Sequence, residues 1–132
     1  MVSPCEMTLR LAATVESVRA ARHAVDAIDQ LNGFDEAAFN TRLLVTELVG
    51  NSVRHAGLDP ADIITLDLEV RPGTVRVEVR DPGPGFSRPS FDDQPPLGTS
   101  GRGLYLVDAL ADRWGVSRTP GGEARVWFEI DI

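Results

Sequence analysis

Glu47-Leu48-Val49-Gly50-Asn51-Ser52-Val53-Arg54-His55-Ala56 closes a long stretch of helical periodicity. It sets a carboxylate, an amide and an imidazole at i, i+4 and i+8. At about 100° per residue the three fall within roughly 80° of each other on one helix edge. A carboxylate can position or deprotonate a hydroxyl or a water, and an amide oxygen can ligate a hard cation such as Mg²⁺. Elsewhere on the same helix, Leu44, Val45, Leu48, Val49 and Ser52 form a broad arc that should be buried. The polar edge also has an ordinary reading, a solvated helix edge, with His55 as a favourable interaction at a helix C-terminus.

Working outward, the helix should run from about Asp35 to His55 or Ala56. Gly57 is a natural stop, and Pro60 bars continuation. Before it, Val15, Val18, Ala21, Val25 and Ile28 have helical spacing, so a helix is predicted from about Val15 to Leu31, with Thr14 as N-cap and Asn32-Gly33 as its end. Thr8 to Ala12 alternates briefly and suits an opening edge strand. After the long helix, Ile64, Leu66, Leu68 and Val70 alternate with polar residues, as do Val75, Val77 and Val79. Pro72-Gly73 lies between the two runs, so they form an antiparallel hairpin with one wet face. A closing hairpin is predicted from Val116–Thr119 and Ala124–Ile130 around Pro120-Gly121-Gly122, with Val126, Phe128 and Ile130 on one face. Trp114 and Trp127 are expected in the core.

Two glycine segments sit between the hairpins. Asp81-Pro82-Gly83-Pro84-Gly85 directly follows a strand. Gly83 and Gly85 let backbone approach a flat ligand, and the Asp81 carboxylate can accept a hydrogen bond from an exocyclic amine. An Asp-Pro-Gly turn is the plain alternative. Gly98-Thr99-Ser100-Gly101-Arg102-Gly103-Leu104 opens a helix of about Gly103–Ala111. Free amides at a helix N-terminus bind phosphate without lysine, and Arg102 adds charge-assisted contacts; a flexible connector is the alternative. Between the two, Phe86 to Ser100 is rich in proline and has no periodicity, as suits a lid or binding loop. Together the segments read as a nucleotide site.

Composition narrows the chemistry. The 132 residues suit one domain, 1–132, and 42% hydrophobic residues can fill its core. A net charge of −7 argues against a general nucleic-acid binder. No apolar run is long enough for a membrane span, and no signal peptide is visible, so a cytoplasmic location is expected. Cys5 has no partner for an internal disulfide, and one Cys with two His is a poor basis for a zinc site. All 13 basic residues are arginine. A Walker A loop and a Gly-rich-loop protein kinase both need lysine, so ATP chemistry here needs another architecture. Helices and hairpins segregate along the chain, which predicts an α+β fold: a two-layer sandwich of a mostly antiparallel sheet with helices on one face.

Glu-x-x-x-Asn-x-x-x-His-Ala, then Asp-x-Gly-x-Gly after a strand, then Gly-x-Gly-Leu before a helix, resembles the GHKL (Bergerat-fold) ATPases over nearly the whole chain. The short length and the 101–112 run look like the bacterial anti-sigma-factor serine/threonine kinases, actinobacterial relatives included. The resemblance implies a histidine-kinase-like ATPase fold with ATP and Mg²⁺ as cofactors. It implies Asn51 as the Mg²⁺ ligand, Glu47 as general base toward the attacking hydroxyl, and Asp81 as reader of the adenine amine. Gly83 and Gly85 would shape the adenine pocket. Gly101, Arg102, Gly103 and Leu104 would face the phosphates, with Phe86–Ser100 as lid. The implied partners are an anti-sigma-factor antagonist and a sigma factor, with no direct nucleic acid and no membrane. The implied function is a serine/threonine kinase that phosphorylates the antagonist and so regulates transcription. Two alternatives stand beside it: a nucleotide-gated, non-catalytic binding module, and a stand-alone histidine-kinase-type catalytic domain acting in trans. Relatives often dimerise through the N-terminal strand and first helix, so Leu9 and Leu11 are expected either at a two-fold axis or inside a monomer's own sheet.

Overall fold

Alternation of period two produces the sheet. In the computed structural model, which describes residues 4–55, 57–84 and 102–132, five strands pair antiparallel throughout. They are β1 (Cys5–Ala12), β2 (Ile63–Arg71), β3 (Thr74–Asp81), β4 (Arg113–Arg118) and β5 (Ala124–Asp131). Their spatial order is β1-β2-β3-β5-β4. The two hairpins are the expected ones, and Gly73, at the β2–β3 turn, has φ of +91°, a conformation that glycine adopts without strain. Three helices cover one face: α1 (Val15–Asp26), α2 (Asp35–His55) and α3 (Arg102–Leu110). The α+β two-layer sandwich expected from the sequence is the observed architecture.

The core lies between the layers. Ile64, Leu66, Leu68 and Val70 of β2, Val75, Val77 and Val79 of β3, and Val126 and Phe128 of β5 point at the helices and are fully or almost fully buried. Leu44, Val45, Leu48 and Val49 of α2 meet them at zero exposure. Burying one such side chain contributes about 1.5–3 kcal/mol. α2 packs on α1, α3, β3 and β5, which makes it the central element.

Five details depart from the sequence reading. β4 covers Arg113–Arg118, beginning three residues before the expected Val116 and ending one before Thr119. β1 begins at Cys5, three residues earlier than expected, and pairs with β2 along its whole length. The first helix stops at Asp26; Ile28 is extended, and a 3₁₀ turn covers Asp29–Leu31. Ile28 and Leu31 are both buried in the core on either side of that break. Thr14 holds the N-cap position with extended backbone, yet its hydroxyl faces Ser17 Oγ at 3.5 Å and makes no capping bond. Trp127 is not in the core. It lies on the open face of the sheet, opposite Val126 and Phe128, with the Arg76 guanidinium 4.5 Å from its ring centroid. Gly115 leaves the room for it, since a Cβ there would sit 2.8 Å from the indole Nε1. Trp114, one step along β4, does face the helices, packs against the core and donates to Asp108.

Several ion pairs cross the rest of the open face. Arg80 meets Asp67 at 2.7 Å, and Arg76 meets Glu129 at 3.1 Å. Arg113 meets both Glu129 and Asp131.

Candidate functional site

Two periodicities converge at one end of the domain. Along β3 the inward positions are Val75, Val77, Val79 and then Asp81. The strand thus carries a carboxylate into the position where its pattern would place another apolar side chain, and Asp81 is only 2% exposed. Along α2 the inward arc that contains Leu48 and Val49 reaches Ser52, 1% exposed. The two meet: Ser52 Oγ donates to Asp81 Oδ2 at 2.5 Å. The other oxygen, Oδ1, accepts the Gly83 amide at 2.7 Å, which closes a tight Asp-Pro-Gly turn. A buried carboxylate has to be hydrogen-bonded, and here one donor comes from the helix and one from the strand's own exit.

Asn51 precedes Ser52 and is 4% exposed. Its Oδ1 is buried and has no hydrogen-bond partner among the described residues. Leaving a buried acceptor unpaired costs about 1–3 kcal/mol, so this oxygen is poised for a donor or a cation. An amide oxygen is a suitable ligand for Mg²⁺, whose coordination is otherwise completed by phosphate oxygens and water. Glu47 lies one turn earlier on the same edge and is half-buried. Gly50 lets the Arg54 guanidinium fold back along this helix, because a Cβ there would meet Arg54 Nη1 at 2.9 Å. Among the described residues no cluster of three or more His, Cys, Asp or Glu could hold a metal on its own.

α3 packs on α2 and β4. Its backbone begins at Arg102 and Gly103, and Leu104 is buried in the core against α2. Gly85, the Phe86–Ser100 loop and Gly101 lie outside the described residues, as do the side chain of Arg102 and that of His55. The structure therefore brings Ser52 of α2 and Gly83 onto Asp81 at the exit of β3, with Asn51 next to Ser52 along the helix, Glu47 one turn earlier, and Leu104 in the core at the start of α3.

Two residues of this region escaped the sequence reading. Ser52 appeared there only as part of the buried arc, although the two periodicities together point it at Asp81. Arg118, at the end of β4, donates to the carbonyl oxygens of Gly83 at 3.4 Å, Gly122 at 2.9 Å and Pro84. That contact depends on strand order and had no local signal.

A five-stranded antiparallel sheet with helices on one face is the architecture of histidine-kinase-like ATPase domains. The chain belongs to that family: the histidine kinase-like ATPase domain matches residues 11–128. The anti-sigma F factor of Geobacillus stearothermophilus is 30% identical over 115 residues, which is 81% of this chain and 79% of that protein. The anti-sigma F factor of Clostridium botulinum (strain Alaska E43 / Type E3) is 29% identical, covering 81% of this chain and 80% of that one. Among solved structures, the histidine kinase domain from Erythrobacter litoralis EL346 blue-light activated histidine kinase superposes with a TM-score of 0.50 at 33% identity. The match covers 72% of this chain and 44% of that one, so the chain spans less than half of that structure. No helix among the described residues is long and apolar enough to cross a membrane.

Proposed function

We propose that this chain binds ATP and Mg²⁺ between α2, the exit of β3 and the start of α3. In this reading it transfers a phosphoryl group to a serine or threonine of a protein partner. The partner is an anti-sigma-factor antagonist, and the output is control of a sigma factor and hence of transcription in the cytoplasm. The observation that carries the nucleotide reading is the pair of buried polar groups on adjoining elements: Asn51 Oδ1, without a partner among the described residues, and the Asp81 carboxylate held by Ser52 and Gly83. The choice of partners rests on the relatives named anti-sigma F factor.

Bound ATP and Mg²⁺ supply the transferable phosphoryl group and the charge neutralisation that dominates such reactions. The chain's own residues do the rest. Asn51 ligates the metal through Oδ1. Asp81 accepts a hydrogen bond from the adenine amine, because its oxygens keep lone pairs beyond those used by Ser52 and Gly83. Gly83 and Gly85 keep the adenine pocket free of side chains. The phosphates are assigned to the amides at the start of α3, Gly103 and Leu104, with Arg102 nearby; Leu104, whose side chain is buried in the core, would offer only its main chain, and Gly101, assigned the same role, lies outside the described residues. Glu47 takes the proton from the attacking hydroxyl as a general base. A homodimer through β1 also belongs to this reading. β1 is the first strand of the sheet order, and its outer edge has no strand partner among the described residues. Leu11 is buried in the chain's own core and Leu9 packs against it, so pairing across a two-fold would be main chain to main chain. A sedimentation mass of one chain at tens of micromolar, with and without ATP, removes the dimer.

Chemical stability of the phosphorylated partner tests the function. The protein is incubated with labelled ATP, Mg²⁺ and extracts or partners from the native cell, and the product is treated with acid. Acid-stable label on serine or threonine is expected. Acid-labile label points instead to histidine phosphorylation in trans. Tight Mg-ATP binding without any labelled partner leaves a nucleotide-gated binding module.

A further inference from the structure

Asp81, Ala124 and Arg118 form one row across three strands. Asp81 of β3 pairs with Ala124 of β5, and Ala124 pairs with Arg118 of β4. Arg118 therefore stands at the same end of the sheet as the carboxylate, two strands away, with its guanidinium reaching past the end of β3. There it donates to the Gly83 and Pro84 carbonyls, and it also reaches Gly122 in the β4–β5 turn. Gly83 and Pro84 lie beyond the last ladder pair of β3, so the sheet offers their carbonyls no partner. A planar guanidinium with five donors can serve three carbonyls at once. The segment is then pinned from both sides: Asp81 takes the Gly83 amide, and Arg118 takes the carbonyls that follow.

We infer that Arg118 is a positioning residue for the adenine site, acting through the main chain of Gly83 and Pro84 without touching the nucleotide. This rests on the nucleotide reading above. Arg118 holds the carbonyls of Gly83 and Pro84, on the far side of Gly83 from Asp81, and so restrains the residue whose amide orients the carboxylate and the backbone against which the base lies. Because Arg118 is exposed, its bonds compete with water and the effect is moderate. Its contribution is independent of the number of phosphates on the ligand, which separates it from an arginine that binds phosphate directly.

Calorimetry of wild type, Arg118→Ala and Arg118→Lys with Mg-ATP and Mg-ADP tests this, together with amide exchange at Gly83 in the ligand-free proteins. Arg118→Ala should weaken ATP and ADP by the same factor, about three- to tenfold. It should speed Gly83 exchange while leaving the exchange of β2 and β3 unchanged. Arg118→Lys, which can reach one or two of the carbonyls, should recover part of both. Unchanged affinity and unchanged Gly83 exchange in Arg118→Ala overturn the inference while the nucleotide site stands. A larger loss for ATP than for ADP overturns it in favour of direct phosphate contact. Faster exchange across the whole sheet, with no recovery in Arg118→Lys, overturns it in favour of general support of the fold. A wild-type protein that binds neither nucleotide overturns the nucleotide reading and this inference with it.

Discussion

The Ser52 hydroxyl donates to Asp81 Oδ2 at 2.5 Å, and both residues are buried. This bond joins the central helix to the end of β3, and it lies one residue from Asn51. Removing it in Ser52→Ala takes one donor from a buried carboxylate. A hydrogen bond to a charged group contributes roughly 1.5–3 kcal/mol, so denaturant unfolding should show a loss of that order. ATP affinity should fall in parallel, as Asp81 loses its fixed orientation. A variant equal to wild type in both measurements would show that the bond matters to neither.

Asn51→Ala should separate stability from binding. The side chain carries a buried oxygen with no partner among the described residues, so its loss removes an unsatisfied group as well as some packing. Unfolding free energy should stay within about 1 kcal/mol of wild type. Mg²⁺-dependent ATP binding should disappear in calorimetry. Undiminished Mg-ATP affinity would take the metal away from Asn51.

Glu47→Gln is nearly isosteric and removes the base. Binding of ATP should stay within a few-fold, while phosphoryl transfer to the cognate partner drops by roughly 10²–10⁴, the usual range for a general base. Full activity in this variant would exclude Glu47 from proton transfer.

The pair Arg113–Glu129 and Arg113–Asp131 gives the molecule a defined response to acid. Hydrogen bonds from Arg113 hold both carboxyls below their ordinary range; at Glu129 partial burial opposes this and Arg76 adds to it. A carboxyl depressed in the folded state contributes stability above its unfolded value of about 4, and loses it as pH falls through the folded value. Arg113→Ala should therefore be less stable than wild type near neutrality, with the gap closing in acid. The gap should be small, because Arg113 and Asp131 are 48% and 53% exposed. Denaturant melts at neutral pH and near pH 3 read it directly. A gap that is the same at both pH values would assign the effect to packing.

Much of this molecule is legible in local pattern. The alternation at 64–70, 75–79 and 124–130 placed three strands and their inward faces, because period two leaves one face for the core. The arc Leu44, Val45, Leu48, Val49, Ser52 was readable for the same reason at period 3.6. The polar edge Glu47–Asn51 and the Asp81 turn followed from spacing along one helix and one strand. Where local pattern misled, a competing tertiary demand explains it. The first helix ended at Asp26 and passed into a 3₁₀ turn at Asp29–Leu31, with Ile28 and Leu31 both buried. Trp127 went to the open face because its strand neighbours Val126 and Phe128 already held the inner one, and because Arg76 and Gly115 gave it a site there.

The sequence by itself determined the elements, their amphipathic faces, the layer arrangement and the residues that carry polar chemistry, since each of these depends on neighbours a few positions apart. Only the tertiary structure decided which of them meet. Strand order β1-β2-β3-β5-β4 puts β5 between β3 and β4. It thereby sets Arg118 in the row of Asp81, 37 positions away along the chain. The packing of α2 on β3 brings Ser52 to Asp81, while the neighbouring Asn51 Oδ1 is buried with no partner among the described residues. These contacts join residues distant in sequence. They are chosen by how whole apolar faces pack together, a global optimum that no short window of residues contains.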